Sequence, residues 1–248
     1  LGFTPLAAAA SSTLHIPAAM LEAEADDSSW AFHDGTEIPA RSWWMDIAQL
    51  VWSFGAPEFR FADARPAPGP VLYLGADTNT VSKTVRLWAD VLRAGAGKSA
   101  PAGTISLTGF AALFAQSGLP YDSEDAHKLA DDIAAAAMAA AGDRIVIAAL
   151  EPEGEIARLM EADSLGFAPL NDVLVQTASG RELRPCVISG LKALGLGMTD
   201  KGAMTAFARP APDAVIMLAE KLEAILNGPA PAHLTLPGDA GPYQAARL

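Results

Sequence analysis

Between Gly103 and Ala141 the spacing of apolar residues switches from strand-like to helical, and the switch marks out the clearest elements of the chain. Thr104–Leu107 is short, apolar and β-branched, which predicts a buried strand leading into Gly109. Phe110, Leu113 and Phe114 then share one helical face, Ser117-Gly118 ends that helix, and Pro120 prevents its continuation. Asp122 or Ser123 is placed to cap a second helix, with Glu124 and Asp125 in its first turn at the positive end of the dipole. Ala126, Leu129, Ala130, Ile133, Ala137 and Met138 form its inner face, while Lys128, Asp131 and Asp132 face water. An inner face made mostly of alanine lets a neighbouring helix approach closely.

The same reading applies along the rest of the chain. Residues 1–38 have weak periodicity and read as a partly extended arm. Arg41–Phe54 reads as a helix with a wide apolar stripe that includes Trp43 and Trp44. Ala62–Pro70 holds three prolines and a glycine and reads as a linker, which divides the chain into an arm with its tryptophan helix (1–66) and a main domain (67–248), the alternative being one single domain over 1–248. Val71–Leu74 predicts a strand, Gly75–Thr80 a polar loop, and Val81–Leu92 a helix with Val81, Val85 and Trp88 inward. Arg144–Ala149 predicts a strand, and Pro152 opens a helix through Met160. Asp172–Thr177 and Glu182–Ile188 read as two hairpin strands about Ala178–Arg181, and Leu191–Leu196 and Lys201–Phe207 as short helices. Asp213 caps a last helix that closes at Asn227-Gly228. Strands alternating with helices from about residue 71 to 165, followed by a hairpin, predict a helix-rich mixed α/β fold.

Composition narrows the function classes. Hydrophobic residues make up 51% of the 248, which excludes a disordered chain. No apolar run reaches the roughly 18 residues needed to span a membrane, and Leu6–Ala10 lacks the basic flank of a signal peptide. The expectation is a soluble cytoplasmic protein with no membrane partner. With 17 basic against 29 acidic residues the net charge is −12, and no clustered basic surface offers itself to nucleic acid. One cysteine, Cys186 in Pro185-Cys186-Val187-Ile188, permits no internal disulfide and no cysteine-rich zinc site; it reads as a buried strand position.

The run Gly109-Phe110-Ala111, a helix, then Gly118-Leu119-Pro120-Tyr121-Asp122-Ser123-Glu124 and an alanine-rich helix resembles a segment of the ribonucleotide reductase large chain. It is most similar to the adenosylcobalamin-dependent class and covers residues 103–141. Thr104 and Ser106 stand where that family usually has two glycines, and Ala112 where it has aspartate. The resemblance implies a structural helical hairpin, and no catalytic residue of the family lies within it. It also implies a thiyl-radical cysteine and a reducing pair of cysteines, which a single cysteine placed after the matched segment cannot supply. Ribonucleotide reduction by this chain alone is therefore not expected, and no catalytic residue is assigned.

Two stretches invite a nucleotide reading. Gly95–Ser99 ends like a phosphate loop, but Leu92 stands where the motif needs its first glycine, and Pro101 follows where a helix should begin. Gly75–Thr84 lies between a predicted strand and a predicted helix, where backbone N–H groups are presented to an anion. Gly75, Asp77, Asn79 and Lys83 are its candidate ligand-binding residues; the plainer reading is that Asn79 or Thr80 caps the helix. His15, His33, His127 and His233 carry no metal-ligand spacing, with His127 expected to be partly exposed. The acidic clusters Glu22–Asp27 and Glu151–Glu155 read as solvated surface, so no metal site is assigned. No Ser-His-Asp or dinucleotide fingerprint is present.

These features predict a non-catalytic relative of the reductase large chain that acts by binding or association, with the cofactor unassigned. The alternative is a small-molecule-binding protein or enzyme on an unrelated α/β scaffold, using the 75–84 loop. A third reading is an interaction protein anchored by Trp43 and Trp44 to a partner or to a second copy.

Overall fold

In a computed structural model, the described residues are 13–32, 34–54, 58–60, 69–75, 77–96, 101–150, 154–170, 172–207 and 209–230. Leu6–Ala10, His33, most of the 62–70 linker, Gly97–Ser99, Glu151, Glu153 and His233 lie outside them. The chain divides into two compact units, Leu1–Arg65 with Thr235–Leu248, and Pro66–Leu234.

In the first unit, β1 (Thr13–His15) precedes α1 (Ala18–Ala25), and β2 (Ser29–Ala31) and β3 (Glu37–Pro39) form an antiparallel hairpin before α2 (Ala40–Phe54). β4 (Glu58–Arg60) returns parallel to β1. Ile16, Met20 and Ile47 form the buried centre, with Trp30, Trp43 and Trp44 packed against it. The expected arm with little regular structure is corrected here. Its strands are three residues long, too short to show alternation, and α1 has no strong apolar face.

The second unit is built on a parallel sheet of β5 (Val71–Tyr73), β6 (Gly103–Thr108) and β7 (Ile145–Ala148), in the order β5-β6-β7. α3 (Thr78–Ala96) joins the first two strands; α4 (Phe110–Gln116) and α5 (Glu124–Ala141) join the second pair. Because strand order follows chain order, both crossovers turn the same way, which sets α3 and α5 side by side on one face. β6, in the middle, is buried along its whole length, as a central parallel strand should be. Ile105 and Leu107 meet Val85 and Ala89 of α3 and the Ala130, Ile133 and Ala137 face of α5 in one core. Ser123 caps α5 by accepting from Ala126 N at 3.2 Å. Arg93 of α3 closes the other end of α5 by donating to the carbonyl of Ala141, a cation at the negative end of the dipole.

After β7 come α6 (Gly154–Leu159), the antiparallel pair β8 (Leu174–Thr177) and β9 (Gly180–Leu183), then α7 (Pro185–Ala193), α8 (Asp200–Ala206) and α9 (Pro212–Ile225). The fold is mixed α/β. The expected strand Glu182–Ile188 is corrected: β9 stops at Leu183, and Pro185 opens α7 at a position where its missing N–H costs nothing. Cys186 is buried, but on a helix. α7 crosses α4 closely, and the second core lies there, with Ala112, Ala115, Val187, Leu191, Ala203 and Phe207. α9 packs on α5 and delivers Asn227 to the outer edge of β7. The Asn227 amide donates to Ile145 O at 2.9 Å and accepts from Ile147 N at 2.7 Å, which covers an edge that would otherwise present unpaired backbone groups.

Candidate functional site

The turn from β5 into α3 is organised by Asp77. Its Oδ1 accepts from the backbone N–H of Asn79 at 2.9 Å and of Thr80 at 3.0 Å, and its Oδ2 from the Thr80 hydroxyl at 3.3 Å. These bonds hold the Asp77 carboxyl below the usual aspartate value, the Thr80 N–H contributing most. The cap is thus Asp77, earlier in the chain than the Asn79 or Thr80 read from the sequence, and it already occupies the N–H groups a ligand anion would need. Gly75 is exposed, with open space where a Cβ would be.

Asn79 and Lys83, one turn apart, are brought together on the outer face of α3. With Ser82, Arg86, Leu87 and Asp90 they line an open hollow of about 390 Å³. Gly75 and Asp77 are not part of this lining. Asp90 is held by Arg93 at 2.9 Å, whereas Lys83 and Arg86 form no ion pair among the described residues. Two uncompensated cations beside an amide and a hydroxyl form a surface able to take a carboxylate or phosphate group. Ser82 and Arg86 were missed by the sequence reading, although each stands three residues after a candidate, Ser82 after Asn79 and Arg86 after Lys83, and that spacing was the available signal.

A second polar cluster lies at the carboxyl end of the sheet, where α/β folds commonly place their sites. The loop after α6 crosses it. Gly166 O accepts from Gly109 N at 2.8 Å, Gly166 N donates to the Thr108 hydroxyl at 2.6 Å, and the Ser164 hydroxyl accepts from Ala112 N at 2.9 Å. Asp163 N donates to the Tyr73 hydroxyl at 3.0 Å, while its carboxylate accepts from Cys186 N at 3.1 Å and lies 3.5 Å from Arg184. Burial, and then the neighbouring Asp163, push the Cys186 thiol up to about 12. Burial likewise raises the Tyr73 hydroxyl. At neutral pH such a thiol is not a thiolate and so is a poor nucleophile. The Asp163 carboxylate acts as a tertiary cap for α7, and the cluster locks the loop, the sheet and α7 together. It was illegible in the sequence because Tyr73, Asp163 and Cys186 are drawn from three separate elements.

The remaining candidates are placed as follows. Trp43 and Trp44 are half-buried on α2, and Trp43 meets Phe32 edge-on with ring centroids 5.6 Å apart, so their unit's own packing uses much of their surface. His127 is 5% exposed, a correction to the partly exposed position expected; its Nε2 is buried and makes no hydrogen bond among the described residues. Burial, and then the charge of Lys221, lower its pKa. Among the described residues no three His, Cys, Asp or Glu side chains cluster in a way that could hold a metal ion, and no helix is long and apolar enough to cross a membrane. No family model and no curated protein matches the chain.

Proposed function

We propose that this chain is a non-catalytic relative of the ribonucleotide reductase large chain that acts in the cytoplasm by binding an anionic small molecule in the hollow along α3. A nucleotide is the class the resemblance implies. The observation that carries this reading is the pair Lys83 and Arg86, uncompensated in a chain of net charge −12 and placed beside Asn79 and Ser82 in a concave surface. The single cysteine, buried and with its thiol pushed up to about 12, supports a binding role over thiol-radical or dithiol chemistry by these residues.

Thermal unfolding with ribonucleotides, deoxyribonucleotides, adenosylcobalamin and other anionic metabolites tests the proposal. A ligand at about a hundred times its dissociation constant adds roughly 2.7 kcal/mol, which raises the midpoint of a domain this size by roughly 5–10 °C. The shift should appear with nucleotides and vanish in Lys83→Ala and Arg86→Ala. A shift confined to anions that are not nucleotides supports the same hollow on an unrelated α/β scaffold. A panel without any shift, or a shift that survives both substitutions, contradicts the assignment.

A further inference from the structure

The hollow along α3 has an order that narrows what it can hold. Residues four apart on a helix lie one above the other, and the lining falls into two such rows: Asn79, Lys83 and Leu87 in one, Ser82, Arg86 and Asp90 in the other. Successive levels, about 6 Å apart along the axis, therefore differ in chemistry. The first offers an amide and a hydroxyl, the second an ammonium and a guanidinium, the third an apolar side chain and a carboxylate. The first row continues to Val91, and Leu87 and Val91 are 63% and 51% exposed, so this carbon faces water. Asp90 is balanced by Arg93 at 2.9 Å, and Arg93 is also committed to the Ala141 carbonyl. The third level thus leaves a ligand no cation among the described residues.

We propose, resting on the reading of this hollow as an anion site, that it takes a phosphate monoester with an uncharged aromatic or heterocyclic body, and takes it in one direction. The phosphate lies between Lys83 and Arg86, with Ser82 and Asn79 donating to it from the preceding turn. The body lies over Leu87 towards Val91. Two unpaired cations at one level suit a dianion concentrated in a single head, which a phosphate monoester supplies near neutral pH and a carboxylate does not. A ring over Leu87 removes apolar surface from water, a gain that bare phosphate cannot make. A second anionic group at the far end of the body would lie beside the Asp90 carboxylate with no cation to receive it. The hollow therefore selects the placement of charge within the ligand as well as its sign.

Proton–nitrogen correlation NMR on the full chain, titrated at neutral pH with inorganic phosphate, phenyl phosphate and para-carboxyphenyl phosphate, tests the proposal. Phenyl phosphate should bind about five- to tenfold more tightly than inorganic phosphate, the effect of covering part of one apolar side chain. Para-carboxyphenyl phosphate should bind more weakly than phenyl phosphate despite its additional charge. Leu87→Ser, at an exposed position, should bring the affinities for phenyl and inorganic phosphate together; the three ligands compared on the wild type decide the matter if this variant fails to fold. Phenyl phosphate no tighter than inorganic phosphate, para-carboxyphenyl phosphate tighter than phenyl phosphate, or a ratio that Leu87→Ser leaves unmoved overturns the proposal while the anion site stands. No shift at the Lys83 and Arg86 amides with any of the three overturns the anion site and the proposal together.

Discussion

Gly190→Ala tests the packing of α7 on α4 through the sign of its effect. Gly190 sits in the interior of α7, where alanine has the better helix propensity by about 0.5–1 kcal/mol, so local structure alone predicts stabilisation. The tertiary contact predicts the reverse. A Cβ at this position would fall inside contact distance of the Ala115 carbonyl oxygen, 3.0 Å from its carbon and 2.6 Å from Cζ of Phe207. Ordinary contact between such atoms needs roughly 3.5 Å, and the main obstacle is backbone, so α7 has to withdraw from α4. Overpacking of this kind costs about 1–3 kcal/mol and occasionally more. After the propensity gain a net loss of roughly 1–2 kcal/mol remains, equivalent to a midpoint lower by about 2–8 °C. Gly95→Ala is the matched control: it is also a glycine on a helix, but with open space at the Cβ position, so it should be neutral or mildly stabilising. Urea denaturation followed by far-ultraviolet circular dichroism measures both. A Gly190→Ala protein as stable as the wild type, or more so, would refute the close crossing of α7 and α4.

Three further outcomes follow from the same contacts. Cys186 should resist an aromatic disulfide reagent in the native protein at pH 8 and react fully once denatured, because burial pushes its thiol up to about 12; rapid stoichiometric labelling of folded protein would show that the helix does not shield it. Asn227→Ala should cost about 1–3 kcal/mol by leaving Ile145 O and Ile147 N unpaired at the β7 edge, and should speed hydrogen exchange at Ile147; unchanged exchange would count against the edge cover. His127, packed near Lys221 of α9 and near Asp131 and Asp122, has a pKa below its ordinary 6.5 when folded. The unfolded chain therefore binds the proton more strongly, and stability falls as pH falls from 6.5 through the lowered value. His127→Gln should flatten that part of a stability-against-pH profile, and an unaltered slope would exclude His127 as its source.

The parts of the fold legible in the sequence were those with long, regular periods. α5 could be read because its alanines, Leu129 and Ile133 keep one face over eighteen residues and Ser123 precedes them as a cap. β6 could be read because a β-branched run ends at Gly109, whose φ of +94° and close approach to the Tyr73 ring require glycine. Short apolar runs were ambiguous. Cys186-Val187-Ile188 suits either a strand or a buried helix turn, and only Pro185 at the helix start separates the two. On α3 the spacing of Val81, Val85 and Trp88 pointed the indole inward, yet Ala89 is the residue buried against the core and Trp88 lies at the margin. At the hollow, Asn79 and Lys83 were found by loop position and Arg86 was not, because a side chain left without an ion pair has no signature until its neighbours are known.

Isothermal calorimetry of the wild type and the double variant Lys83→Ala/Arg86→Ala, titrated with a ribonucleoside triphosphate at low and at high salt, tests the binding role of α3 most directly. The account predicts saturable single-site binding to the wild type that weakens with salt, as exposed charge pairs do, and no binding to the variant. Identical titrations for the two proteins, or no heat from either, would contradict it.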